Sequence, residues 1–161
     1  MNSLDFAINM ELEGRAYYLK QADLCQSNEL KTIFTILADA EQQHADLLLR
    51  RQREEEVTLK EDNIIKERNS FFHNLADFKP DVPRALKQLD AYQYAADQEQ
   101  KSIELYQGML EQAKDSKDKE LFTFLIKQET EHLHLFEDLV ILLTRPEEWV
   151  ESAEFGIREE Y

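Results

Sequence analysis

Residues 40–44 (AEQQH) carry a Glu-x-x-His motif, and residues 128–132 (QETEH) carry the same motif 88 residues later. The glutamate of each motif stands thirty residues after an earlier glutamate, and a tyrosine follows that earlier glutamate by seven residues. The two sets are Glu11, Tyr18, Glu41 and His44, and Glu99, Tyr106, Glu129 and His132. One class of four-helix bundle binds two metal ions in its core. Two of its helices contribute one glutamate each, and the other two contribute one Glu-x-x-His each. The repeat therefore predicts a binuclear metal site.

The two sets belong to an internal repeat of helical character. Residues 4–50 align with residues 92–138 without a gap, and Leu37 then matches Leu125. Only three glycines and three prolines occur in 161 residues, a composition that favours long helices over a sheet. Apolar residues recur at alternating steps of three and four, which is the spacing of one helix face. This spacing predicts four long helices, at roughly 3–26, 28–56, 83–114 and 117–144.

The connector 51–82 joins the two predicted helical hairpins and contains a short amphipathic segment near 62–77. A connection of this length allows the second and third long helices to run parallel, as in bundles with one crossover. We therefore expect an all-α fold in which residues 1–145 form a four-helix bundle. The segment 146–161 is expected to be a short C-terminal helix or tail that docks on the bundle or on a second subunit. Its large apolar side chains are Trp149, Phe155 and Tyr161.

Charge and composition exclude several classes of function. The formal net charge of −15 is opposite to the basic face that nucleic-acid binding needs, and it disfavours anionic membrane surfaces. No apolar run approaches the ~20 residues of a membrane-spanning helix, and the first residues show no signal sequence. Cys25 is the single cysteine, so neither an internal disulfide nor a four-cysteine iron site can form. We expect a cytoplasmic protein that binds neither nucleic acid nor membranes.

The four glutamates of the repeat lie on the predicted apolar helix faces. A buried ionised carboxylate is costly without a partner, and no Lys or Arg occupies a neighbouring position on these faces. At a rise of about 1.5 Å per residue, the two glutamates of each hairpin stand at nearly the same height from their turn. Two divalent cations would neutralise the four carboxylates at that level. The predicted metal ligands are Glu11, Glu41, His44, Glu99, Glu129 and His132.

The ligand types narrow the choice of metal. Carboxylate-rich coordination with one imidazole per ion indicates Fe²⁺ or Mn²⁺, although the ligand types also admit Zn²⁺. By the symmetry of the repeat, Glu11 and His44 would serve one ion, and Glu99 and His132 the other. The bridging ligands would be Glu41 and Glu129. An exchange of the two histidines between the ions is an alternative that the spacing leaves open.

The remaining candidate residues have less specific interpretations. Tyr18 and Tyr106 are candidate catalytic residues if their hydroxyls contact ligand carboxylates, and otherwise they only pack in the core. His134 lies two residues after the second motif histidine and must face another side of the helix, while His73 belongs to the connector. Both are interpreted as ordinary surface or packing residues. Cys25 is interpreted as a small buried apolar residue.

These motifs resemble the ferritin-like superfamily, and specifically its rubrerythrin-type branch. The segments that carry the resemblance are 10–18 (MELEGRAYY), 40–44, 99–106 and 129–132 (ETEH), within a similarity that covers residues ~3–145. The resemblance implies a ferritin-like bundle with two Fe ions that react with hydrogen peroxide or dioxygen. Rubrerythrins proper carry a rubredoxin-like module with four cysteines, which one cysteine cannot build. They also carry a further glutamate where this chain has Ser102, so the six-ligand set is more like that of bacterioferritin.

Three functions are compatible with such a centre. The first is a rubrerythrin-like peroxidase, an oxidoreductase that reduces hydrogen peroxide or dioxygen with electrons from an external donor such as a rubredoxin. The second is a ferroxidase or iron-handling protein, and the third is a metal-stabilised interaction module whose tail binds a partner. We expect the first, because the resemblance to the rubrerythrin branch covers the whole bundle. A homodimer is expected from that branch and from the aromatic residues of the connector and tail.

Overall fold

The computed structural model describes residues 2–25, 27–74 and 85–144, and these residues form helices without a strand. The helices are α1 (Ser3–Leu24), α2 (Asn28–Gln52), α3 (Ile64–His73), α4 (Leu89–Gln112) and α5 (Ser116–Thr144). α1 packs along α2 and α4 packs along α5, while the short α3 contacts α2 and α5. The predicted all-α, ferritin-like bundle of two helical hairpins is therefore confirmed. None of the described helices is both long and apolar enough to cross a membrane.

The helix boundaries differ from the sequence pattern at the end of α2 and at the start of α4. The pattern extends this helix to about residue 56, but α2 ends at Gln52. Glu54 adopts a positive φ of 59°, and it begins a run of three glutamates. Negative side chains at a helix C-terminus oppose the helix dipole, which favours an end before this run. α4 begins at Leu89 rather than near residue 83, because residues 87 and 88 form a turn before it. Residue 83 itself and the tail 146–161, with its expected docking, lie outside the described residues.

In the described part of the chain, the buried core contains two apolar clusters, and the six predicted metal ligands form a polar level between them. Along α2, Leu37 belongs to one cluster and Leu48 to the other, and Glu41 and His44 lie between them. The other long helices repeat this order, with the flanking residues Ala7 and Tyr18, Ala95 and Tyr106, and Leu125 and Leu135. Apolar side chains therefore close the polar level from both ends of the bundle, which strengthens electrostatic interactions within it.

The described part of the connector, up to residue 74, is held against α5. The backbone amide of Asp62 donates to Gln128 Oε1 at 3.1 Å. On α3, the buried Arg68 contacts Asp138 Oδ2 of α5 at 3.1 Å through two guanidinium nitrogens. A buried ion pair of this kind is costly to break, because the remaining charge would be left without a partner. These contacts place Asp62 directly outside the polar level of the bundle.

Candidate metal centre

Four helices contribute the six predicted ligands to one buried level. Glu11 lies on α1 and Glu99 on α4, while the two Glu-x-x-His motifs lie on α2 and α5. The spacing of three residues within each motif places both side chains on one helix face, one turn apart. None of the six residues is more than 4% exposed. The fold therefore brings all six together inside the bundle.

The six residues form two overlapping groups. In the first group, one donor atom from each residue lies within 4.8 Å of the others, and the members are Glu11, Glu41, His44 and Glu129. The second group satisfies the same distance, with the members Glu41, Glu99, Glu129 and His132. Glu41 and Glu129 belong to both groups, so an ion in each group would share these two carboxylates. The unshared members of each group, Glu11 with His44 and Glu99 with His132, come from the same hairpin, which corresponds to the pairing without exchange of the histidines.

Several buried atoms of this level have no hydrogen-bond partner among the described residues when the carboxylates are ionised. Those of the six residues are Glu11 Oε2, Glu41 Oε1, Glu99 Oε2, Glu129 Oε2 and His132 Nδ1. A buried polar atom without a partner is costly, so such atoms are rare unless something else binds them. Carboxylate oxygen and imidazole nitrogen are donor types that suit iron and manganese. The residues therefore fit a pair of divalent ions.

Glu11 and Glu99, which belong to one group each, have one oxygen held by a tyrosine of the other hairpin. Tyr18 on α1 donates its hydroxyl hydrogen to Glu99 Oε1, and Tyr106 on α4 donates to Glu11 Oε1. The second oxygen of each glutamate is among the atoms without a partner. Each tyrosine therefore orients a carboxylate so that one oxygen stays available to a metal. The sequence left two roles open for these tyrosines, contact with a carboxylate of the predicted ligands or packing alone. Both hydroxyls make the carboxylate contact.

Some of the six proposed ligands keep protons more strongly than usual when no metal is bound, among them Glu41, Glu129 and His44. Burial, and then repulsion from neighbouring carboxylates, raise the pKa values of Glu41 and Glu129 well above the ordinary value. Burial opposes the ionisation of Glu11, but a hydrogen bond from Glu41 and the charge of His44 outweigh it and lower its pKa to about 2. Burial also opposes the protonation of His44, but Glu11 and Glu129 raise its pKa to about 10. Metal binding would therefore replace protons at this level.

His132 is contacted on its outer side by Asp62, a residue that sequence reasoning missed. Its Nε2 atom lies 2.9 Å from Asp62 Oδ2, whereas its Nδ1 atom lies 3.3 Å from Glu41 and 3.5 Å from Glu99. The other oxygen of Asp62 accepts a hydrogen bond from the Ile64 amide at 3.0 Å. A carboxylate at one ring nitrogen fixes the tautomer and leaves the other nitrogen free to bind a metal. Asp62 therefore orients His132 towards the carboxylates.

No local pattern distinguishes Asp62 from other acidic residues. It precedes α3, where an acidic residue is an ordinary helix-start signal, and the connector has no counterpart in the internal repeat. Its approach to His132 depends on the path of the connector along α5. Since the connector occurs once in the chain, it gives the two histidines of the repeat different surroundings.

The other candidate residues of the sequence lie outside both groups. His73 is exposed and His134 is half-buried. Cys25 is half-buried beside one apolar cluster, where burial raises the pKa of its thiol to about 11. Ser102 is buried on α4 and donates its hydroxyl hydrogen to the Gln98 carbonyl oxygen at 3.1 Å.

A small cavity opens between α1 and α4 beside the carboxylates. Its volume is about 100 Å³, and its walls include Glu41 and Glu99 together with Gly14 and Ser102. Gly14 and Ser102 occupy equivalent positions of the internal repeat, and both are small. A β-carbon at position 14 would lie 3.1 Å from Glu41 Oε2, so the glycine allows the α1 backbone to approach this carboxylate. The cavity provides a path for small molecules to two of the six residues.

Comparison with known proteins agrees with this geometry. No curated protein and no solved structure matched the chain. The family model for rubrerythrin matches residues 2–140, which include all five described helices except the last turn of α5. With that family, the buried carboxylates and imidazoles indicate a metal site of the di-iron type. The chain belongs to the rubrerythrin family.

Proposed function

We propose that the protein is a di-iron oxidoreductase that reduces hydrogen peroxide with electrons from a separate donor protein such as a rubredoxin. The observation that carries the proposal is the pair of ligand groups that share Glu41 and Glu129 beside a cavity of about 100 Å³. Two iron ions held by these groups would together supply the two electrons that cleavage of one O–O bond requires. The cavity has room for only a few molecules of water size, which favours a small oxidant over an organic substrate.

Six residues would hold the ions. Glu11 and His44 would bind one ion, and Glu99 and His132 would bind the other. The shared carboxylates would be Glu41 and Glu129. Four carboxylates then balance two divalent charges, so that the buried level is neutral without its protons.

The remaining residues of the site position these ligands and exclude water. Tyr18 and Tyr106 hold Glu99 and Glu11 in fixed orientations across the two hairpins. Asp62 holds the ring of the second motif histidine from the connector. Tyr18 also lines the cavity, where burial and Glu99 raise its pKa well above 10, so that its oxygen retains a proton.

Ferroxidase activity is the second candidate function, and the surroundings of Ser102 favour it. Position 102 is a serine and therefore adds no further carboxylate to the six ligands. Its hydroxyl donates to the Gln98 carbonyl oxygen and lies 3.5 Å from Met10 Sδ. Glu13 on the cavity wall provides negative charge that would attract Fe²⁺ as a substrate. In this case dioxygen would be the oxidant, and more Fe²⁺ would sustain turnover.

The test mixes the reduced, iron-loaded protein with hydrogen peroxide and, separately, with dioxygen in a stopped-flow instrument. We expect peroxide to be consumed once per centre without a donor, and repeatedly when reduced rubredoxin is added. The variant His73→Ala is the control for loss of a histidine, because His73 is exposed and outside both ligand groups. Catalytic oxidation of added Fe²⁺ by dioxygen, with no peroxide turnover in the presence of the donor, would assign the ferroxidase function instead.

A further inference from the structure

A row of three tyrosines connects the protein surface with the carboxylate level. Tyr94 on α4 is 48% exposed, and its ring centroid lies 5.1 Å from that of Tyr17 on α1. The Tyr17 centroid lies 5.8 Å from that of the buried Tyr18. Tyr18 donates its hydroxyl hydrogen to Glu99, one of the proposed ligands. These three residues, named here the tyrosine row, all line the cavity between α1 and α4.

The equivalent positions in the other half of the repeat do not form such a row. The offset of 88 residues places Phe6 opposite Tyr94 and Leu105 opposite Tyr17. Phenylalanine and leucine at these positions show that the helices of the bundle can be built there without a phenol. Packing alone therefore does not account for two further tyrosines beside only one of the two tyrosine–glutamate contacts.

The central ring of the row is held between its neighbours. Tyr17 donates its hydroxyl hydrogen to the Ala91 carbonyl oxygen at 2.9 Å. Its ring meets Tyr94 at an interplanar angle of 63° and Tyr18 at 67°, so each contact is edge-to-face. Aromatic π electrons are held less tightly than the electrons of an aliphatic side chain, and adjacent rings therefore transmit an electron better than leucine does.

We propose that the tyrosine row carries electrons from an external one-electron donor, docked over Tyr94, to the metal centre. This inference rests on the proposed function, since each peroxide reduced to two waters takes two electrons and two protons. In each passage one electron moves from the donor through the three contacting rings to the centre, and every tyrosine keeps its hydroxyl proton. Two passages supply the two electrons, and the two protons of the waters come from solvent in the cavity.

Two substitutions copy the other half of the repeat. Tyr94→Phe keeps the exposed ring but removes the phenol that excess peroxide could oxidise, and Tyr17→Leu removes the ring that joins the two ends and so interrupts the row. Tyr92→Phe is the matched control, because it removes a phenol from the same helix whose hydroxyl donates to Gln88 rather than to a carboxylate. Bound iron is measured in every variant before comparison, so that loss of metal is not mistaken for loss of the row.

The first measurement adds several equivalents of hydrogen peroxide to the iron-loaded protein without a donor. Once the electrons of the centre are spent, further peroxide can take electrons only from side chains. We expect a tyrosyl radical by electron paramagnetic resonance and covalent dityrosine at Tyr94 by peptide mass spectrometry, in the unchanged protein and in Tyr92→Phe. Tyr17→Leu should lose this product although Tyr94 remains exposed. Its persistence in Tyr17→Leu, or its absence from the unchanged protein, would overturn the proposal.

The second measurement needs no peroxide. The iron-loaded protein is oxidised with ferricyanide, and the oxidation of added reduced rubredoxin is followed by its absorbance. We expect Tyr17→Leu, which removes a ring, to slow this reaction about tenfold or more, and Tyr94→Phe and Tyr92→Phe, which keep their rings, to leave it unchanged. Equal rates in all proteins would overturn the electron route. Failure of the reduced protein to consume peroxide would overturn only the proposed function, because this rate is measured without peroxide.

Discussion

Replacing Gly14 with alanine tests how closely the α1 backbone approaches the carboxylate level. A β-carbon at this position would lie 3.1 Å from Glu41 Oε2 and 3.6 Å from Glu41 Cδ. The shorter distance is below ordinary van der Waals contact, so the carboxylate has to move by a few tenths of an ångström. Gly108 in α4 is the matched control, because a β-carbon there meets no atom within 4 Å in the described part of the chain.

The two substitutions should act alike on the helix and differently on the metal. Alanine stabilises a helix interior by about 1 kcal/mol relative to glycine, so both variants should be at least as stable as the unchanged protein without metal. Metal sites tolerate ligand displacements of only about 0.2 Å, and Glu41 is proposed to bind both ions. We expect Gly14→Ala to lower the metal affinity about tenfold, which corresponds to about 1.4 kcal/mol, and Gly108→Ala to leave it unchanged.

The assay combines thermal unfolding with an anaerobic Fe²⁺ titration. The unfolding midpoints of the metal-free proteins report the effect on the helix, and the rise in midpoint on adding Fe²⁺ reports the affinity. The rise should be smaller in Gly14→Ala than in Gly108→Ala. An equal rise in both variants would refute the reasoning, because it would mean that displacing the Glu41 carboxylate does not affect metal binding.

Three further predictions concern other residues of the site. Glu41→Ala should abolish binding of both ions while His44→Ala weakens mainly one, and an equilibrium titration that still finds two tightly bound ions in Glu41→Ala would contradict the shared role. The metal-free protein should lose stability as the pH rises from 6.5 towards 10, because the folded state keeps a proton on His44 up to a pKa of about 10. It should also lose stability below pH 4.5, because the pKa of Glu11 is lowered to about 2 in the folded state. Thermal midpoints against pH measure both effects, and metal should remove the loss at high pH; a midpoint that stays constant from pH 6.5 to 10 would count against the buried site. Asp62→Asn should preserve folding and weaken the ion at His132 by about tenfold, and an unchanged affinity in a metal titration would show that Asp62 does not orient this ligand.

The long helices and the six proposed ligands could be predicted from the sequence because both depend on local spacing. Steps of three and four residues define one helix face through the geometry of the helix alone. The acidic residues on these faces, such as Glu11 and Glu129, therefore stood out without coordinates. The end of α2 at Gln52 was harder to predict, because the glutamates that follow have good intrinsic helix propensity and only their position at the C-terminus opposes the helix.

Only the tertiary structure decided which groups reach these residues from elsewhere in the chain. Asp62 approaches His132 across 70 residues of sequence, and Tyr18 bonds to Glu99 across 81. Such contacts depend on the height and angle at which the hairpins and the connector pack, and the close packing of the whole core sets both. The division of pKa values within the site has the same origin, since it follows from burial and from distances between charges of different helices. The sequence and local helix geometry determined which residues share the ligand-bearing helix faces. Long-range packing determined the partners, the orientation and the charge of these residues.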